Sequence, residues 1–294
     1  MLNTETPSIH HTGLDLYATT DLVSAFVEDQ IQAVNAVRNA GPAIANAVDA
    51  AQTRMLSGGR LIYAGAGTSG RLGVLDSVEL YPTFSWPHDR AIGLIAGGAS
   101  AMFVAVEGAE DDFEQGSQDL HNVHVGPNDV VLLLAASGGT PYVMGAMQAA
   151  RAVGALTIGF ANNPHAPVTQ QADIGITLDT GAEVISGSTR LKAGTSQKIA
   201  LNTFSSALMV RLNKVYGNLM VDLKATNAKL VRRSVALTMR AADCDEATAS
   251  RVLQECGHHV KLAVVAIRRG TDVPTARACL AAAGDSVRRA LETT

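Results

Sequence analysis

The spacing of apolar positions divides the chain. Over residues 21–57, Leu22, Phe26, Ile31, Val34, Val37, Ile44, Val48 and Met55 recur at helical intervals. Gly41-Pro42 marks a break between helices there. From Arg60 the period changes. Near-continuous apolar runs at 60–66, 91–96, 129–136, 155–160 and 173–178 predict strands, and the stretches near 69–80, 99–122, 141–153 and 164–171 predict helices. Apolar strands alternating with helices predict an α/β fold with a parallel sheet covered on both faces. A long helix is expected near 190–214. Beyond it, breaks at Gly257 and between Gly270 and Pro274 suggest three short helices near 246–256, 258–269 and 273–291. The expected organisation is an N-terminal arm and helices (1–57), a central α/β domain (58–235) and a helical module (236–294).

Composition narrows the function classes. The chain has 294 residues, of which 47% are hydrophobic, enough for a sizeable core, and only 4% are aromatic, too few for a base-stacking surface. The formal net charge is −4 with no long basic run, which argues against nucleic acid or an anionic membrane as partner. Cys244, Cys256 and Cys279 are odd in number and lie in helical patterns, so reduced thiols are expected rather than a disulfide frame. Cys256-Gly257-His258-His259 lacks a second ligand pair at useful spacing, and no metal is expected. No signal-like start and no apolar run of roughly 18 residues is present, so a cytoplasmic location is expected.

Two turns carry candidate chemistry. Gly65-Ala66-Gly67-Thr68-Ser69-Gly70 and Ser137-Gly138-Gly139-Thr140 each follow a predicted strand and open a predicted helix. Such turns aim backbone N–H groups, hydroxyls and the positive end of a helix dipole at one point, which suits a phosphate. Strand ends in a parallel sheet are also where ligands bind. A dinucleotide would need a carboxylate closing the second strand, and Ile95-Ala96-Gly97-Gly98 has none, so no nucleotide cofactor is expected. Three carboxylates stand near these turns. Glu79 ends the first helix among apolar neighbours, where a carboxyl can act as an acid. Glu107 and Glu110 are three apart and would share a helical face, or form a solvated corner with Asp111 and Asp112. Arg190 and Lys192 can neutralise phosphate or a carboxylate, or simply be surface charges.

The segments Gly59–Tyr63 and Gly70-Arg71-Leu72-Gly73-Val74-Leu75-Asp76 resemble the N-acetylmuramic acid 6-phosphate etherase family. So do Leu94–Gly98, Ala105–Asp111, Thr140–Val143, Lys192–Thr195 and Gly217–Asp222, in order over roughly residues 58–230. The resemblance implies a sugar isomerase (SIS) type, flavodoxin-like phosphosugar domain followed by a three-helix, UBA-like module. It implies cleavage of the D-lactyl ether of N-acetylmuramic acid 6-phosphate by elimination and then hydration, with no metal or nucleotide. The family's acid matches Glu79 and its second glutamate, taken as the base, matches Glu110. Glu107 is then either structural or a support behind the reacting pair. The phosphate is expected against Gly67, Thr68, Ser69, Ser137, Gly138 and Thr140, with Ser188, Thr189 and Lys192 nearby.

The chain departs from the family pattern at Gly139, where Arg is usual, at Leu80-Tyr81-Pro82, where Cys-Pro-Pro is usual, and at Thr6-Pro7, where Arg-Asn is usual. A substrate carboxylate would want an arginine, and Arg71 and Arg190 are the candidates to replace the missing one. Two other readings stay open: a non-catalytic phosphosugar sensor similar to the glucokinase regulatory protein, and an aldose–ketose phosphosugar isomerase. The apolar helices at 21–57 and about 196–214 exceed what one sheet needs covered, so a homodimer with sites near its interface is expected.

Overall fold

The structure, a computed structural model, describes residues 2–223 and 228–292. The chain forms two compact units: Met1–Val78 with His88–Ser206, and Glu79–Pro87 with Ala207–Thr294.

The first unit is built on five parallel strands, β1 (Leu61–Gly65), β2 (Ala91–Ile95), β3 (Val130–Leu134), β4 (Leu156–Ala161) and β5 (Ile174–Thr177), in the order β2-β1-β3-β4-β5. All five predicted strands are present. The uninterrupted apolar runs of β1, β3 and β4 are buried throughout, whereas the edge strands β2 and β5 are mostly half-buried. A parallel strand covered on both faces has no polar side to alternate with, which is why these segments read as runs.

Before the sheet come α1 (Thr19–Asp29), α2 (Ile31–Asn39) and α3 (Gly41–Leu56). The expected break at Gly41-Pro42 is joined by a second one at Gln30. Between the strands run α4 (Gly67–Phe84), α5 (Phe113–Asn122), α6 (Pro141–Ala152) and α7 (Pro167–Gln171), and α8 (Lys192–Arg211) follows β5. One expectation is corrected. The stretch 99–122 is not one helix: only Phe113–Asn122 is α-helical, with short 3-10 turns at Ala99–Met102 and Ala109–Asp111. The helix starts where Asp112 can cap it, its carboxylate accepting the Gln115 N–H at 2.9 Å. Upstream, Phe103 is 91% exposed, so the apolar spacing there does not report a packed helical face. Glu107 and Glu110 therefore do not share one.

A charged pair sets the register of the two central strands. Asp129, just before β3, accepts the Arg60 backbone N–H at 2.9 Å, Arg60 Nε at 3.1 Å and Nη2 at 2.6 Å, and Leu61 pairs with Val130. Burial opposes the Asp129 charge, but the bonds from Arg60 and Gly126 outweigh it and hold its carboxyl below the ordinary range. A group depressed in this way stabilises the fold above its unfolded pKa and loses that contribution as pH falls through the folded value. Asp129→Asn is therefore expected to lower stability by about 3 kcal/mol at neutral pH. The difference from the parent in urea denaturation should disappear as the pH drops below the ordinary carboxylate range; a difference that persists there would refute this account.

The second unit contains the hairpin β6 (Val215–Tyr216) and β7 (Leu219–Met220), then α9 (Ala228–Ala242), α10 (Glu246–Glu255), α11 (Val260–Arg269), α12 (Val273–Ala282) and α13 (Val287–Glu292). The segment read as one helix over 273–291 is two, α12 and α13, separated at Gly284 and Asp285, both at positive φ. Helix α11 is buried from Val260 to Ala266 at the centre of this unit. Its Lys261, 4% exposed, bonds Asp222 at 2.9 Å and also Asp285. Asp245 and Asp272 cap α10 and α12 by accepting the N–H groups of Thr248 and Thr275.

Candidate active site

In this strand order the direction in which successive strands are added reverses between β1 and β3, and ligands of such sheets bind outside the carboxyl ends of those two strands. Gly65 pairs with Leu134 at that edge. The two turns singled out in the sequence follow directly, one from each strand, so the fold brings them side by side.

The first turn is built by close backbone approach. A Cβ on Gly65 would lie 2.8 Å from Gly70 N, and one on Gly70 would lie 2.7 Å from Gly65 O. Glycine at both positions lets α4 begin against the strand end. Gly67 opens the helix and is exposed, Thr68 is half-buried and Ser69 is buried.

The second turn is anchored from behind. The Asn162 N–H and Asn163 Nδ2 both donate to the Ala136 carbonyl at 2.9 Å. The Ser137 and Thr140 hydroxyls lie 3.4 Å apart, and the Gly139 N–H reaches Ser137 Oγ at 3.4 Å. Gly138 has φ +79°, and a Cβ there would lie 2.2 Å from Ala166 Cβ. Thr140 precedes α6, with Pro141 at its first position, and the Thr140 hydroxyl makes no capping bond. The donors at this helix start are thus not taken by their own cap residue.

A third segment joins them. Ser188 and Thr189 lie in the loop before α8, which begins at Lys192. Gly194, in that first turn, donates its N–H to the Thr189 carbonyl at 2.9 Å. A Cβ on Gly194 would lie 3.2 Å from Thr68 Cγ2. The Ser188-Thr189 loop and the first turn are therefore neighbours. Lys192 is placed differently from expectation: its ammonium is buried and bonds Asp29 at 2.7 Å. Separating a buried pair of this kind leaves two uncompensated charges, so Lys192 ties α1 to α8 rather than offering a free cation. The N-terminal arm docks here as well. Thr4, fully buried, bonds Asn163, its carbonyl accepts the Gly187 N–H at 3.2 Å, and Ser186 Oγ donates to the Glu5 carbonyl at 3.1 Å.

Glu79 lies on α4 and Glu110 in the 3-10 turn Ala109–Asp111, and both are exposed. The apolar neighbours of Glu79 are as expected, but Leu75 and Val78 are exposed too. One turn before Glu79, Asp76 is buried. It accepts Tyr63 Oη at 2.8 Å, Asn202 Nδ2 at 2.5 Å and Ser205 Oγ at 3.2 Å. Burial raises its carboxyl above the ordinary range despite these donors. Arg71 spends its Nε on the Ala101 carbonyl at 2.9 Å, and Arg190 is exposed. Among the described residues no group of three or more His, Cys, Asp or Glu is placed to hold a metal ion, and no helix is long and apolar enough to cross a membrane.

Sequence reasoning did not single out Glu183 or the Asn162-Asn163 pair. Glu183 is fully buried and accepts the N–H groups of Lys192 at 3.1 Å and Ala193 at 2.9 Å. Its only signal was an acidic residue within an apolar stretch, Gly181-Ala182-Glu183-Val184-Ile185.

Comparison with known proteins bears on the family and the fold. The sequence profile described as "Glucokinase regulatory protein N-terminal SIS domain" matches residues 43–151. A phosphoheptose isomerase from Francisella tularensis has a similar fold, with a TM-score of 0.51 at 17% identity over 66% of this chain and 100% of that one. An N-acetylmuramic acid 6-phosphate etherase of Deinococcus radiodurans is 54% identical over 97% of this chain and 94% of its own length. That of Klebsiella aerogenes is 45% identical over 100% and 98%. Identity at this level over nearly the whole length, on an SIS-type sheet, shows that the chain belongs to the N-acetylmuramic acid 6-phosphate etherase family.

Proposed function

We infer that this chain is a carbon–oxygen lyase that cleaves the D-lactyl ether of N-acetylmuramic acid 6-phosphate, giving N-acetylglucosamine 6-phosphate and D-lactate. The observation that carries this is near-full-length identity to etherases. The two hydroxyl-rich turns at the β1/β3 switch point support a phosphorylated ligand. A phosphorylated sugar does not cross membranes freely, so the reading places the enzyme in the cytoplasm.

The phosphate is held by Thr68, Ser69, Ser137 and Thr140 with the free backbone N–H groups of Gly67 and Gly138, and Ser188 and Thr189 close the cradle. With the sugar ring open, the C1 aldehyde acidifies the C2 proton. Glu110 takes that proton, the C2–H electron pair forms the C2=C3 bond, and the C3–O bond breaks. Glu79 gives its proton to the departing lactyl oxygen. Water then adds at C3: Glu79 takes a proton from it, and Glu110 returns one to C2. The reaction needs one carboxylate to accept a proton while the other gives one. Arg190 stands beside Thr189 with an exposed guanidinium, so it is assigned to the substrate's lactyl carboxylate, in place of the arginine that Gly139 lacks.

Incubation with N-acetylmuramic acid 6-phosphate in 18O-water tests the reading. D-lactate should form unlabelled, with the label at C3 of the sugar. Binding without lactate would favour a sensor, and a ketose product an isomerase.

A homodimer belongs to the same proposal. Val23, Val27, Ile31 and Val34 are exposed along α1 and α2, and Phe103, Val104 and Val106 are exposed in the segment leading to Glu110. So much apolar surface on one chain fits a second copy. Light scattering at micromolar concentration should give twice the 30.5 kDa chain mass; the mass of a single chain would count against it.

A further inference from the structure

We propose that Glu183 is a positioning residue that closes the Ser188-Thr189 loop and thereby sets the phosphate cradle. This rests on the phosphate reading above. The Glu183 carboxylate accepts two N–H groups at the start of α8, from Lys192 and Ala193, and so joins the two ends of the loop that carries Ser188 and Thr189. A helix start is an anion site by virtue of its free donors and its dipole. Here the protein supplies the anion itself. Two consequences follow. The α8 donors are filled, which directs a ligand phosphate to the hydroxyls and to the starts of α4 and α6. The first turn of α8 is also held where Gly194 meets both Thr68 and the Thr189 carbonyl.

The groups facing Glu183 reinforce the clasp. Lys192 turns its ammonium away to Asp29 while giving its backbone N–H to Glu183. The far side of the loop is held by the arm, through Gly187 N–H to the Thr4 carbonyl and Ser186 Oγ to the Glu5 carbonyl. The loop is thus fixed at its base by a carboxylate and at its tip by the N-terminal arm.

Steady-state kinetics of lactate release from the phosphosugar, with inorganic phosphate as competitive inhibitor, test the proposal. Glu183→Gln keeps one acceptor oxygen and is expected to raise KM and the phosphate inhibition constant about tenfold, with kcat within about threefold. Glu183→Ala is expected to raise both further, and added formate, which can enter the vacated helix start, to restore part of the loss. A residue needed only for folding would lower apparent kcat in proportion to the unfolded fraction and leave KM alone, so that pattern overturns the proposal. Thr189→Val and Ser188→Ala separate it from the reading beneath it. If they raise both constants while Glu183→Gln raises neither, only the role of Glu183 fails. If they leave both constants unchanged, the phosphate reading fails and this inference with it.

Discussion

Glu110→Gln is expected to abolish exchange of the substrate's C2 proton with solvent deuterium and to reduce lactate release by about a thousandfold or more. Glu79→Gln should reduce lactate release on a similar scale for a different reason. It leaves the base in place, so C2 exchange persists while the C3–O bond stays intact. The split is diagnostic because the two steps use different protons. In the proposed reaction the C2 proton goes to Glu110, and the proton that assists departure comes from Glu79. If Glu110→Gln still exchanges the C2 proton and Glu79→Gln does not, the two roles are reversed. If neither variant loses lactate release, the pair is not the acid and base. Both side chains are exposed, so the substitutions remove no buried contact and the fold is expected to survive them. Far-UV circular dichroism of each variant checks this.

Gly138→Ala is expected to be the most damaging single methyl group in the proposed phosphate cradle. The added carbon would lie 2.2 Å from Ala166 Cβ and 3.0 Å from Ala161 Cβ, on a backbone at φ +79°. Overpacking and the left-handed backbone together cost about 3 kcal/mol. Relief requires the turn to move, and the turn cannot move alone. Its Gly138 carbonyl accepts the Val168 N–H at 2.9 Å, and its Ala136 carbonyl accepts from Asn162 and Asn163. The expected result is a lower midpoint in urea together with a raised KM. A variant with parental stability and KM would show that the turn is not held as described. Gly139→Ala, one residue on and exposed, is the control: a Cβ there comes no closer than 3.9 Å, to Pro167 Cγ.

Much of the fold could be read from period alone. Every predicted strand is present because strands covered on both faces need uninterrupted apolar runs, and few other elements produce them. The failure at 99–122 has the opposite cause. Phe103 and Val106 stand three apart as on a helix face, but they and Val104 are exposed rather than packed, so the apolar residues there are not accounted for by burial within this chain. The candidate site was partly legible. Gly65, Gly70 and Gly138 stood out because backbone approach and positive φ leave few residue types to choose from. Glu183 and Asp76 did not, because a carboxylate that caps a helix or is buried by a tyrosine looks, along the chain, like any other acidic residue. Lys192 illustrates the reverse error. Its charge suggested an anion ligand, yet its partner, Asp29, lies far away in sequence.

The sequence by itself determined the alternation of strands and helices, the two glycine-rich turns and the presence of the glutamates, because periodicity and backbone freedom are local properties. Tertiary structure alone decided that the turns meet at the β1/β3 switch point, that Glu183 occupies the start of α8, and that Lys192 is already paired. Each of these depends on strand order or on contacts between distant segments, and burial and hydrogen bonding are settled only when the chain has closed on itself.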